Sequence, residues 1–213
     1  GFFVFDSIAS ERTFKDKMSE YAVIHLAMHG ILNTKHPVLS SLAFTNSDST
    51  EDNFLHAYEI SHLNLNADLV VLSACETGFG KFEQGEGVIS LARSFMYAGV
   101  PSLVVSLWQV NDASTAEIMI LFYSYLAEGK DKAEALRLAK MDYIKEAGKR
   151  GPIASHPALW AAFIQLGDSR PLKLSVKSNS DYFCYGITVL SVLILCAAVF
   201  FLFRKKRSVK KAG

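Results

Sequence analysis

The chain has 213 residues, 22 Lys and Arg against 21 Asp and Glu, and a hydrophobic half. The near-neutral total hides a split. All 21 acidic residues lie at or before Asp181 against 16 basic ones, a net charge of −5, and the six remaining basic residues follow Phe203. A mildly acidic body of roughly 180 residues carries no basic footprint for nucleic acid, so no nucleic-acid partner is expected, and it is long enough for one α/β core.

Ser10 to Glu20 is polar and compatible with a helix. Tyr21 to Met28 is a continuous apolar run, the pattern of a strand buried on both faces. Leu39 to Thr45 predicts a shorter strand, Asn46 to Asn53 a polar loop, and Ala57 to Leu63 a short helix. Asp68 to Ala74 predicts a second buried strand. Val88, Leu91, Ala92, Phe95 and Met96 recur at helical spacing, with Gly99 and Pro101 as the stop. Pro101 to Trp108 predicts a third strand. Ala113 to Ala127 and Lys132 to Ala147 predict helices, the first with Ser114-x-x-Glu117 as a capping box. Gly148 to His156 reads as a loop and Trp160 to Leu166 as a final strand. Strands separated by helices imply an α/β fold with a mainly parallel sheet covered on both faces.

In such sheets ligands bind beyond the C-terminal ends of the strands. Two predicted strands end there in reactive residues, one in Met28-His29-Gly30 and the other in Ala74-Cys75. Cys184 and Cys196 fall in the apolar C-terminal segment, so Cys75 is the single thiol of the body and has no disulfide partner within it. An imidazole beside a thiol can take its proton, which makes the sulfur nucleophilic at neutral pH. Gly30 would let a substrate backbone approach, and its N–H with that of Cys75 would form an oxyanion hole. His25 precedes His29 by four residues, but on a strand that spacing separates them by about 13 Å, too far to share a metal. His36, His56 and His62 read as surface or loop histidines, and His156 before Pro157 as a turn residue. Gly78-Phe-Gly80-Lys lacks the spacing of a phosphate-binding loop.

Five segments together resemble the CHAT domain, a group of caspase-like cysteine peptidases related to separase. They are Ile24 to Gly30 (Ile-His-Leu-Ala-Met-His-Gly), Leu69 to Gly78 (Leu-Val-Val-Leu-Ser-Ala-Cys-Glu-Thr-Gly), Gly85-Glu-Gly-Val88, Val104-Val-Ser-Leu-Trp108 with Val110 and Asp112, and His156-Pro157 with Trp160-Ala-Ala-Phe163. The likeness covers about residues 10 to 168 in family order. It implies a caspase-like three-layer sandwich and a cysteine endopeptidase in which His29 and Cys75 form the catalytic dyad. Cys75 would attack the scissile carbonyl of a protein or peptide substrate, and no cofactor or metal would be required. Ser106, Trp108 and Asp112 would line the pocket for the residue before the cut, where Asp112 would favour Arg or Lys; Asp112 is also a good helix N-cap. The departures are Met28, where many relatives carry Cys or Thr, and an early part of the domain that looks missing. A catalytically silent binding module is the alternative, though the retained dyad argues against it.

Residues 182–203 form a stretch of 22 without charge, about 33 Å as a helix, with aromatic residues at one end and Arg-Lys-Lys-Arg at the other. The expectation is a CHAT domain at 1–168, a linker at 169–181, a single transmembrane helix at 182–203 in the lipid bilayer and a basic tail at 204–213. Six positive charges after the span put the tail in the cytoplasm and the domain outside, in the periplasm if the setting is bacterial. The opening Gly-Phe-Phe-Val lacks an initiator Met, which points to a longer chain with an export signal and, as in many CHAT proteins, upstream tetratricopeptide repeats.

Overall fold

The computed structural model describes residues 3–4, 8–33, 35–45, 51–73, 75–76 and 86–173, with the backbone course alone at 75–76 and 86–90. In chain order the elements are α1 (Glu11–Lys17), β1 (Val23–Leu26), β2 (His29–Ile31), β3 (Ser41–Ala43), β4 (Phe54–His56), α2 (Ala57–Ile60), β5 (Leu69–Leu72) and β6 (Cys75–Glu76). They continue with α3 (Glu86–Tyr97), β7 (Ser102–Ser106), α4 (Asp112–Ala127), α5 (Lys132–Arg150) and β8 (Phe163–Gly167).

A four-stranded sheet in the order β1-β5-β7-β8 organises the core. β1, β5 and β7 are parallel, and β8 closes the edge antiparallel to β7. β5 and β7 are buried at every position, which explains their unbroken Leu and Val runs: a central strand covered on both faces has no polar side to offer. The pleat divides their side chains between two cores. Val70, Leu72, Leu103 and Val105 pack with Phe14, Ile60, Leu91 and Phe95 from the helices of the first half. Leu69, Val71 and Val104 pack on the opposite face with Ile118, Phe122 and Leu126 of α4 and Leu136, Ala139 and Tyr143 of α5. The expected mainly parallel α/β sheet with helices on both faces is therefore present.

Local chemistry sets the helix ends. Ser10 caps α1, its hydroxyl accepting from Thr13 N–H at 3.2 Å. α3 stops at Gly99, whose φ of +103° suits glycine, and Val100 N–H closes the turn on Phe95 O at 3.0 Å. α4 is capped by Asn111, whose Oδ1 accepts from Ala113 and Ser114 N–H at 3.0 and 3.3 Å. The expected capping roles of Asp112 and of Ser114 with Glu117 are thus corrected. Ser114, Ile118, Phe122 and Leu126 form one buried stripe, which requires Ser114 to lie already inside the helix. Ser114 accepts a hydrogen bond from Tyr143 OH at 2.9 Å, and Glu117 pairs with Arg150 at 2.6 Å. The loop expected from Gly148 also starts later. α5 runs through Arg150 and ends at Gly151, where φ is +115°.

The larger correction concerns Tyr21 to Met28. This run is not one strand leading to His29: β1 ends at Leu26 and β2 begins at His29 in a second sheet, ordered β4-β3-β2-β6. Its outer strand, β4, carries no apolar alternation long enough to mark it in the sequence. Beyond β8, Lys132 N–H reaches Ser169 O at 2.7 Å and Leu172 packs on the α4–α5 core, so the chain stays against the domain to that point. Among the described residues no helix is long and apolar enough to cross a membrane. The expected span at 182–203 and the basic tail lie outside them.

Candidate active site

β1 and β5 pair in parallel with His25 opposite Val71; β2 and β6 pair in parallel with His29 opposite Cys75. The same offset holds across both pairs. β1 and β5 leave the main sheet at the same level, and β2 and β6, which follow them in the chain, pair beside the same neighbour in the small sheet. This turns two distant motifs into adjacent positions. Neighbouring strands lie roughly 4.8 Å apart, so the backbones of His29 and Cys75 are separated by one strand spacing.

His29 is exposed, and the following Gly30 is buried between Leu42 of β3 and Glu76 of β6. Across the small sheet the row that starts with Cys75 and His29 continues through Ala43 to Phe54, and the next row runs from Ile31 through Ser41 to His56. β4 ends where α2 is capped: His56 N–H donates to Glu59 Oε2 at 3.0 Å, while the His56 ring reaches Leu39 O from Nδ1 at 3.2 Å. His56, expected on the surface or in a loop, is therefore the last residue of a strand and stacks on Tyr58 with 5.3 Å between ring centroids.

The three residues expected in a substrate pocket lie on the segment after the central strand. Ser106 is buried at the end of β7; its neighbour Val105 pairs with Leu72, so Ser106 sits level with Ser73. Trp108 is half-buried and donates from Nε1 to Ala158 O at 2.9 Å. That carbonyl belongs to the turn built by His156, whose Nδ1 accepts from Ala158 N–H at 3.2 Å, the turn-fixing role expected of it. Asp112 is exposed in the first turn of α4. Of all these residues, only His29 and Cys75 are brought into direct register.

His25 has a different environment from His29. Its Nε2 lies 2.9 Å from Ser73 Oγ and its Nδ1 3.0 Å from Tyr123 OH. Desolvation lowers its pKa and raises that of Tyr123, so both are held neutral, imidazole against phenol. The His25 ring stays solvent-accessible at its rim. The chain Tyr123–His25–Ser73 fastens β1 to the end of β5, two positions before Cys75. Sequence reading missed Ser73 and Tyr123. The Ser-Ala-Cys tripeptide was the available signal for the first, whereas Tyr123 comes from a helix 98 positions away from His25. Among the described residues no three His, Cys, Asp or Glu side chains converge as a metal site would need.

The family model of the CHAT domain matches residues 3–168. The chain is also similar to tetratricopeptide repeat protein 28 of Homo sapiens, with 32% identity over 139 residues, and to that of Mus musculus, with 31%. Each alignment covers 65% of this chain but 5% of the relative, so the chain spans about a twentieth of the proteins it matches.

Proposed function

Because the chain belongs to the CHAT domain family, which is related to cysteine peptidases, we propose that it is a caspase-like cysteine endopeptidase acting through His29 and Cys75. The observation that carries this reading is the register of β2 and β6, which sets the two positions side by side on parallel strands. In the reaction the Cys75 sulfur bonds to the scissile carbonyl carbon while backbone N–H groups of Gly30 and Cys75 hold the oxyanion. The C–N bond then breaks as His29 gives its proton to the leaving amine, and water hydrolyses the thioester. This chemistry calls for no metal or organic cofactor. A positioned acid–base of this kind contributes about 10²–10⁴ in rate. Ser106, Trp108 and Asp112 would lie on the acyl side of the cut, where an exposed Asp112 favours Arg or Lys.

The surrounding organisation belongs to the same proposal: a three-layer caspase-like sandwich, a linker that follows the packed residues at 169–173, a transmembrane helix at 182–203, a cytoplasmic tail and an extracytoplasmic domain. Similarity to tetratricopeptide repeat proteins favours repeats elsewhere in the full chain, and it gives the second reading its support. In that reading the domain is a silent scaffold module within a repeat protein. Labelling with a thiol-reactive peptide probe, read by mass spectrometry, decides between them. The peptidase reading expects Cys75 to react well above an ordinary exposed thiol, with the rate falling at least a hundredfold in His29→Ala and no labelling at that site in Cys75→Ala. Ordinary reactivity unchanged by His29→Ala favours the scaffold.

A further inference from the structure

Five large apolar side chains on the small sheet and its flanks are exposed to solvent: Ile31 (43%), Phe54 (40%), Val38 (58%), Leu39 (43%) and Tyr58 (46%). Two of them have a fixed relation to the dyad. Phe54 ends the row that runs Cys75, His29, Ala43, Phe54 across four adjacent strands, and Ile31 stands two residues beyond His29 on the same strand. We propose that this face is the subsite for the leaving-group side of the peptide substrate and that it selects a large apolar residue there. The inference rests on the peptidase reading and assigns direction and specificity to the same site.

The direction follows from proton transfer. The group that protonates the leaving amine lies beneath the first residue after the cut, so the departing chain extends from Cys75 over His29 and onward. What lies onward is the small sheet. Ala43, the next position, has a side chain small enough to leave a shallow floor. Phe54 lies two strand spacings from His29, about 10 Å; an extended peptide advances roughly 3.3 Å per residue, so its third residue, two steps past the first, stands about 6.6 Å out, over β3 between Ile31 and Phe54. The exposed ring of Phe54 and the side chain of Ile31 then flank the third residue after the cut. Asp52, whose Oδ1 accepts from Phe54 N–H at 2.9 Å, keeps its side chain 66% accessible and sets a negative rim that repels an acidic residue there. An apolar residue should therefore be preferred over Asp by about tenfold, the low end for an apolar contact on an open surface.

The test uses the full-length protein and a peptide library prepared from a digested cell lysate. Cut sites are mapped by mass spectrometry, and the Cys75→Ala protein serves as background. The expected result is about tenfold enrichment of Leu, Ile, Val and Phe over Asp at the third position after the cut, collapsing toward unity in Phe54→Ala and falling in Ile31→Thr. The second variant keeps the inference testable if the first fails to fold. Cys75-dependent cutting with a flat distribution at that position overturns the subsite and leaves the peptidase reading standing. So does enrichment that survives in both variants. No Cys75-dependent cutting, together with no probe labelling of Cys75, overturns both.

Discussion

Replacing Lys15 by Met tests how the small sheet is fastened to the domain. Lys15 Nζ lies 2.6 Å from Glu11 Oε1, 3.0 Å from Glu51 Oε2 and 3.2 Å from Glu59 Oε1, so one amine joins α1 to the segments on either side of β4. Glu11 is 1% accessible, and apart from this ion pair its carboxylate oxygens have no hydrogen-bond partner. Removing the amine strands a buried charge beside two others. Breaking a fully buried pair costs about 3–5 kcal/mol and an exposed one under about 1. Lys15 is 24% accessible and Glu51 and Glu59 can turn to water, so the expected loss is about 2–3 kcal/mol. Urea unfolding followed by the fluorescence of Trp108 and Trp160 at pH 7 should show a midpoint lower by roughly 1 M, for a slope of about 2 kcal/mol per M. Adding Glu11→Leu should restore most of the loss. The pH dependence follows from the Lys15 titration: burial disfavours the charged amine, but the hydrogen bonds to Glu11, Glu51 and Glu59 outweigh it and raise its pKa. With the folded value above the unfolded one, the stabilisation is whole below about pH 10.4 and is lost as the pH rises through the folded value. The two proteins should therefore differ by a constant amount from pH 7 to about 10 and converge above it. A loss under about 0.5 kcal/mol at pH 7, or a gap unchanged to about pH 11.5, refutes the reasoning.

Gly167, at the end of β8, has φ +81°, and a Cβ there would meet Pro101 O at 2.2 Å. Gly167→Ala should cost about 3 kcal/mol and lower Tm by roughly 6–12 °C; a shift under about 2 °C contradicts it. Asn111→Ala should cost about 1 kcal/mol in chemical denaturation, and Asp112→Ala clearly less, because the cap bonds are made by Asn111. If Asp112 instead selects the residue before the cut, Asp112→Ala should reduce cleavage after Arg and Lys while leaving stability intact.

The sequence by itself determined the order of the main elements, because buried parallel strands are written as short apolar runs and helices by their 3.6-residue stripe. It also marked His29 and Cys75, since each stands at the end of such a run. The break between β1 and β2 was not legible: Tyr21 to Met28 is apolar throughout, and the bend comes from β2 pairing with β3 on one side and β6 on the other. The same is true of β4, a three-residue strand held by Leu42, Leu55 and the Lys15 ion pairs rather than by its own pattern. His25, Ser73 and Tyr123 meet through contacts 48 and 98 positions apart, which no local spacing encodes. Local composition thus decided which residues are strand, helix and candidate chemistry. Only the tertiary structure decided that His29 and Cys75 share a register, because that register follows from two strands leaving one sheet at the same level and pairing again in the next.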